Sequence, residues 1–402
     1  MAGDEFGLNG LLAAAEDAEP VASVEVVARS LGERFGARSV SFLFVDLIER
    51  ELVRLTEESQ GQSGRGAERV RLEGSDYDTV LRTQELHHAP GGDGGLRVIV
   101  PVTNRGDTIG VLELTLPHAG DEGEAGVLEE IRRAAHALAY IIVTNRRFTD
   151  LYEWGRRTTP MSLAAEIQHQ LLPSASCYQA PEFTLAGTLI PADDIGGDTY
   201  DYTVDRETVH LSVTDAMGHD VDAALLATLL VNALRRARRA GCDAAGQASQ
   251  ADQAMIDHGR GAFATGQLLR IGLDGRSVQL VNAGHPWPLR LRDGAVEELQ
   301  LDIDPPFGIG APSAASYHVQ ELDLQPGDRL VLYTDGMQER CAAAADLPAL
   351  LRDTRDLHPR EAIRVMAGAV MDACHRRLAD DATVLCLDWH GAQPAGRHPG
   401  IG

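Results

Sequence analysis

The chain has 402 residues, with 36 Lys and Arg against 60 Asp and Glu, a formal net charge of −24, and 44% hydrophobic residues. That length suits two or three domains with cores of their own, and the acid excess argues against a nucleic-acid-binding surface over most of the chain. No apolar run reaches the ~20 residues of a membrane-spanning helix, and the opening Met1-Ala-Gly-Asp-Glu5 lacks the basic start of a secretory signal. The reading is a soluble, cytoplasmic protein that engages neither membrane nor nucleic acid. The five cysteines, Cys177, Cys242, Cys341, Cys374 and Cys386, are scattered without a CxxC, and in that compartment they are expected to be reduced thiols.

In chain order, residues 1–19 are an Ala-, Gly- and acid-rich leader, loose or helical. Val24, Val27, Leu31 and Phe35 keep helical spacing up to Gly36. Ser39–Val45 and Glu51–Leu55 read as strands, 60–66 as a loop, 78–83 as a short helix and 91–95 as a Gly-rich loop. Leu96–Val102 and Thr108–Leu116 form a strand pair around the turn 104–107. Val127, Ile131, Ala134, Leu138 and Ile142 then line one face of a long helix. This order, with Val98-Ile-Val-Pro-Val102 followed by Ile109-Gly-Val-Leu-Glu-Leu114, resembles a GAF domain over residues 20–147. The resemblance implies a sensory module with an antiparallel sheet of about six strands, and a small ligand held between sheet and loops. Nothing in the sequence identifies that ligand. His87 and His88 are candidates to touch one, against the plainer reading of solvent-exposed histidines.

Residues 148–173 read as a helical linker in which Leu163, Ile167 and Leu171 recur every fourth residue until Pro173 stops the helix. Such a connector either dimerises and carries a signal or simply packs on the next domain. Beyond it, Phe183–Pro191 is a strand. Val209–Val213 alternates as a strand, turns at Asp215 and Gly218, and enters Ala223–Val231, a helix apolar on nearly every side and so expected to be buried. Free N–H groups at such a turn favour anions.

Asp198, Asp215, Asp335 and Asp380 each stand at a strand end or tight turn beside glycine or another Asp. Carboxylate-only ligation selects hard ions, magnesium or manganese, over zinc. Two such ions can activate water and clamp a phosphoryl oxygen. Four crowded aspartates without cations would repel one another and shift upward in pKa. One of them alone would be an ordinary turn or cap.

The motifs carrying these residues run in one order. Ala165-Glu-Ile-Gln-His-Gln-Leu-Leu-Pro173 is followed by Ile195-Gly-Gly-Asp-Thr-Tyr-Asp-Tyr202, Asp215-Ala-Met-Gly218 with Ala223-Ala-Leu-Leu226, and Val278-Gln-Leu-Val-Asn-Ala-Gly-His285. Then come Pro306-Phe-Gly-Ile-Gly310, Gly327-Asp-Arg-Leu-Val-Leu-Tyr-Thr-Asp-Gly336 and Asp380-Asp-Ala-Thr-Val-Leu385. Together they resemble the SpoIIE/RsbU-like serine/threonine phosphatases of the PPM (protein phosphatase 2C) superfamily. The resemblance implies a phosphatase domain over residues 174–390 with an α/β sandwich of two antiparallel sheets flanked by helices, and a disordered tail over 391–402.

It also implies two Mn²⁺ or Mg²⁺ ions. Asp215 would bridge both, Asp335 and Asp380 would complete one site, and Asp198 with the carbonyl of Ala216 the other. Asp201, Gly218, His219 and Asp381 are candidate supporting residues, Ile167 and Leu171 a candidate linker switch, and His219 and His285 candidate general acids. The implied substrate is a phosphorylated STAS-type anti-anti-sigma protein and the implied assembly a homodimer. The chain departs from the family pattern at Asp220, where glycine is usual, which bears on the turn's shape and on charge near the substrate entrance. The alternative reading is a catalytically silent scaffold of the same fold. Gly196-Gly-Asp198 shares its letters with the diguanylate cyclase signature but lacks the acid and aromatic that follow there. No P-loop is present.

Overall fold

The computed structural model describes residues 8–47, 50–54, 67–91, 94–117, 124–156, 161–192, 196–310, 317–338 and 340–393. The expected loop 60–66, Ile195 and most of the expected tail lie outside these. The chain divides into two compact units, Met1–Pro160 and Met161–Gly402.

Unit 1 begins with α1 (Leu8–Asp17) and α2 (Ser23–Phe35), so the leader is helical where it is described. Gly36 ends α2 in the left-handed region, as its position after Phe35 suggested. There follow β1 (Ser39–Val45), β2 (Glu51–Arg54), β3 (Glu68–Arg71), α3 (Asp76–Thr83), β4 (His87–Pro90), β5 (Leu96–Asn104), β6 (Asp107–Leu116), α4 (Glu124–Asn145) and α5 (Leu151–Gly155). The strands form one antiparallel sheet in the order β3-β2-β1-β6-β5-β4. The unbroken apolar run of β1 has a simple cause: the sheet is covered on both faces. Phe42 and Phe44 face the core formed with α1, α2 and α4, whereas Leu43 and Val45 face the one formed with α3. β3 and β4, the two edge strands, were not anticipated. Neither has an apolar run, and each is held mainly by ladder bonds to one neighbour.

Unit 2 opens with α6 (Leu163–Leu171), β7 (Cys177–Gln179), β8 (Phe183–Ile190), β9 (Asp198–Val204), β10 (Thr208–Ala216), α7 (Asp220–Arg239) and α8 (Ala244–His258). It continues with β11 (Ala264–Gly272), β12 (Val278–Ala283), β13 (Leu289–Arg292), β14 (Ala295–Glu298), β15 (Gln320–Glu321), β16 (Arg329–Tyr333), α9 (Leu347–Asp353), α10 (Pro359–Ala373) and β17 (Ala382–Trp389). Two antiparallel sheets result, β15-β12-β11-β10-β9 and β14-β13-β16-β17-β8-β7. Val209, Leu211 and Val213 meet Leu330, Leu332, Leu385 and Leu387 between them. The outer face of the first sheet packs on α7 and α8, and that of the second on α9 and α10. The architecture is mixed α and β, with antiparallel sheets between helical layers.

The unit boundary at Pro160 cuts the expected linker 148–173: α5 belongs to unit 1 and α6 to unit 2. Two expectations are corrected. α7 is not buried all round; it buries Ala223, Ala227, Leu230 and Leu234 in one stripe while Leu225 stays 53% exposed, because it lies on one sheet face as an outer layer. Nor are all the cysteines reduced. Cys341 and Cys374, far apart in sequence, are brought together and joined by a disulfide, leaving Cys177, Cys242 and Cys386 free. Among the described residues no helix is long and apolar enough to cross a membrane.

Candidate metal and phosphate site

The candidate carboxylates arrive from both sheets at one end of the sandwich. Asp198 opens β9 and Asp215 lies near the end of β10, and antiparallel pairing puts them directly opposite each other, with side chains on the same face. Gly197 makes the approach possible, since a Cβ there would lie 2.2 Å from the carbonyl oxygen of Ala216. In the second sheet β16 and β17 are antiparallel neighbours. The end of one and the start of the other therefore coincide, delivering Asp335 in a 3-10 turn (Asp335–Met337) and Asp380 and Asp381 just before β17.

Asp198 joins the two sheets. Its Oδ2 accepts from Thr334 Oγ1 at 2.6 Å and from Thr383 Oγ1 at 2.7 Å. These threonines close on each other through Thr383 N to Thr334 Oγ1 at 3.0 Å. Burial holds the Asp198 carboxyl well above its ordinary value, the charges of Asp215 and Asp381 push it further, and the two hydroxyls oppose them. Asp381, also buried, accepts from Ala192 N at 2.8 Å and from Gln168 Nε2 at 2.6 Å. Burial pushes it up to about 6 against those hydrogen bonds, with the charge of Asp380 adding to the rise. Asp215, Asp335 and Asp380 are half-buried.

Gln168 is the residue that ties α6 to this end of the sandwich. The same Nε2 donates to the backbone carbonyl of Asp198 at 2.7 Å, while Oε1 is buried without a hydrogen-bond partner among the described residues. Ile167 is half-buried, and Leu171 packs in the core with Leu230 and Leu234. Sequence reasoning singled out Ile167 and Leu171 by their spacing and passed over Gln168, Thr334 and Thr383. The signal was present, since all three stand inside the quoted motifs, but spacing of apolar residues does not register a buried polar one.

Other candidates sit elsewhere. Asp201 faces away from Asp198, as an odd offset along β9 requires. It is bound by Arg235 at 2.9 Å and Arg238 at 3.1 Å, and Arg235 also donates to the Leu171 carbonyl at 2.6 Å. Asp201 thus anchors α6 and α7. His219 is exposed and pairs through Nδ1 with Asp220 Oδ2 at 2.9 Å. Gly218 and Asp220 both have left-handed backbone, with φ of 112° and 60°. The position where glycine is usual therefore demands what glycine allows, and Asp is among the few other residues that adopt it. His285 is buried, with Nδ1 on Thr265 Oγ1 at 2.9 Å and its backbone closing a turn with the Asn282 side chain. Burial lowers its imidazole to about 3. It is a neutral structural group that reaches toward the site through Thr265, the cross-strand neighbour of Asp215.

In donor chemistry the set fits a hard divalent cation: it offers oxygen atoms only, and at Asp198 and Asp381 burial and like charge both disfavour the ionised state. Among the described residues no three His, Cys, Asp or Glu side chains already stand in chelating array.

Residues 205–390 match the model of the SpoIIE family, Stage II sporulation protein E. The chain is 27% identical over 210 residues to the phosphoserine phosphatase RsbP of Bacillus subtilis, covering 51% of this chain and 49% of RsbP. It is 21% identical over 238 residues to the phosphoserine phosphatase RsbU of the same organism, covering 56% and 69%. The match thus spans about half the length of RsbP. Among solved structures, the RsbU and RsbW domains of a Mycobacterium tuberculosis protein align with TM-score 0.47 at 24% identity, over 53% of this chain and 62% of that one. The SiaA PP2C domain of Pseudomonas aeruginosa aligns at 0.46 and 22%, over 56% and 92%. Over part of its length the chain is thus similar to the SpoIIE family and to two enzymes named phosphoserine phosphatases.

Proposed function

We propose that unit 2 is a divalent-cation-dependent protein serine/threonine phosphatase. The observation that carries this reading is that Asp198, directly opposite Asp215 in one sheet, is bonded by Thr334 and Thr383 of the other, each beside a turn that carries a candidate carboxylate. Asp215 would bridge two ions, Mn²⁺ or Mg²⁺, with Asp335 and Asp380 completing one position and Asp198 and the carbonyl of Ala216 the other. Bound there, the ions supply positive charge that activates water near neutral pH and neutralises the phosphoryl oxygens. The chain's own residues hold that arrangement. Thr334 and Thr383 fix one Asp198 oxygen and leave the other for a cation, Gly197 lets the strands approach, and Gln168 keeps Asp381 and the Asp198 backbone in register. His219, exposed at the turn after Asp215, would be the candidate to give a proton to the leaving seryl oxygen.

The relatives' name, phosphoserine phosphatase, supports a phosphoserine substrate; we propose a phosphoserine or phosphothreonine on a regulatory protein, a STAS-type anti-anti-sigma factor. Residues 20–147, with six antiparallel strands between helical layers, would act as a GAF-type sensor within a homodimer. The segment 148–173 would relay its state, with Ile167 and Leu171 seating α6 and so Gln168. One observation favours a catalytically silent scaffold instead: the His219–Asp220 pair adds a carboxylate one turn from Asp215.

The test is hydrolysis of p-nitrophenyl phosphate by the full chain with Mn²⁺, with chelator, and with Asp215→Ala. Turnover that needs the cation and falls about 10²–10³-fold in the variant is expected, since a group aimed at transition-state charge is worth that much. Turnover retained by Asp215→Ala would sink the site assignment. Silence of both the full chain and residues 161–402 would favour the scaffold.

A further inference from the structure

The Cys341–Cys374 disulfide closes 33 residues of chain, with its Cα atoms 5.0 Å apart. Each cysteine stands six residues from a candidate ligand, Cys341 after Asp335 and Cys374 before Asp380. At their other ends the two segments touch: a Cβ on Gly336 would fall 1.9 Å from the backbone oxygen of Asp381. Gly336, Cys341, Cys374, Leu378 and Asp380 line one small cleft. The cross-link and the Gly336–Asp381 contact therefore tie the two segments at both ends, with Asp380 inside one of them and Asp335 directly before the other. The backbone beside each sulfur is also held in the left-handed region by residues with a Cβ, Arg340 (φ 50°) on one side and His375 (50°) and Arg376 (63°) on the other. Such conformations persist only where surrounding structure imposes them, and the cross-link joins both turns.

We infer that Cys341 and Cys374 are a reversible thiol–disulfide modification site whose redox state sets the divalent-cation affinity of the Asp335 and Asp380 arms. The second half of this statement rests on the metal reading of those carboxylates. The co-reactant is a low-molecular-weight disulfide, RSSR. Cys341, the more exposed partner, attacks as thiolate, forming Cys341–S–SR and expelling one RS⁻. The Cys374 thiolate then attacks Cys341 Sγ, forms the internal bond and expels the second RS⁻. The two thiol protons pass to solvent and RSSR takes up the two electrons; an excess of small thiol reverses both steps. The oxidised state holds the arms as described here and binds the cation more tightly, because less freedom remains to be lost on binding.

The full chain is equilibrated in oxidised or reduced dithiothreitol, alkylated under denaturing conditions and weighed, and Mn²⁺ affinity is measured on parallel samples by the electron paramagnetic resonance of free Mn²⁺. Expected are five alkylated cysteines when reduced and three when oxidised. Reduction should weaken Mn²⁺ binding on the order of tenfold, as loss of an outer support of a metal site does. Cys242→Ser should keep this response, and Cys341→Ser with Cys374→Ser should bind as the reduced protein does in either buffer. Five reactive thiols in both buffers overturn the modification site. Equal affinity in the two states, or tighter binding when reduced, overturns the coupling alone. An intact two-thiol difference with no Mn²⁺ bound in either state overturns the metal reading and the coupling with it.

Discussion

Each unit sets a carboxylate at a junction of strands, half-buried Glu113 in one and buried Asp198 in the other, and the two are treated in opposite ways. In unit 1, Glu113 on β6 accepts from Arg54 Nη2 at 2.7 Å and from Arg97 Nε at 2.7 Å, while Arg97 also lies over the Tyr77 ring, 5.2 Å from its centroid. Burial alone would raise Glu113, but the two arginines outweigh it and hold the carboxyl below its ordinary value. In unit 2, Asp198 is raised by burial and again by Asp215 and Asp381, and the groups opposing that are the hydroxyls of Thr334 and Thr383. Arginines are within the chain's means there too: Arg235 and Arg238 bind Asp201 from the opposite face of β9. The chain thus closes one network with its own cations. At the other site it gathers negative charge, an arrangement that suits a cation from outside.

The most direct way to break this contrast is to neutralise each carboxylate in turn. Glu113→Gln leaves two arginines without their shared partner and is expected to destabilise unit 1 by about 2–3 kcal/mol, toward the lower end for a buried pair because the side chain keeps some exposure. Asp198→Asn keeps an oxygen for the two threonines and removes a buried like charge. It is expected to raise the stability of the cation-free protein by about 1 kcal/mol while abolishing stabilisation by added Mn²⁺. Urea unfolding with and without Mn²⁺ measures both, and destabilisation of the same sign in the two variants would dissolve the contrast.

Acid sharpens it. His358 caps α10 through Nδ1, accepting from Arg360 N at 3.2 Å, and burial, then the charge of Arg360, lowers its imidazole to about 4. Above pH 6.5 neither folded nor unfolded chain holds this proton. As pH falls below that value the unfolded chain takes it up first, so the neutral-form stability is lost progressively, about 2 kcal/mol by pH 5. Glu113 contributes no change in that window, since its folded value lies below the ordinary 4.5, so its stabilisation is present above 4.5 and is lost only as pH falls through the folded value. His358→Asn retains a capping side chain. The difference in unfolding free energy between wild type and this variant should therefore change between pH 7 and 5, and a constant difference would show that folding leaves the His358 imidazole unshifted.

Much of the fold was legible. The alternation of Val209–Val213, the turn residues after it and the apolar period of 127–142 report on local backbone choices, which neighbours in sequence decide. β3 and β4 were not legible, because an edge strand needs only a partner's ladder and Glu68-Arg-Val-Arg71 carries no apolar pattern. α8, rich in Ala and Gln, was not marked by any motif either; its stripe of Ala248, Ala251 and Met255 has meaning only against the sheet that it covers.

The order of the Asp-bearing motifs was contained in the sequence, as was the all-carboxylate make-up of the set. Which carboxylates face one another was decided by tertiary structure. Strand register put Asp198 against Asp215 and turned Asp201 away, because side chains alternate across a strand and a difference of three residues reverses the face. The joining of Cys341 to Cys374, the hold of Gln168 on Asp381 and the two hydroxyls on Asp198 arise from contacts between distant segments. Hydrogen bonds and covalent closure depend on distances that no local pattern encodes, so folding alone brings these groups within reach.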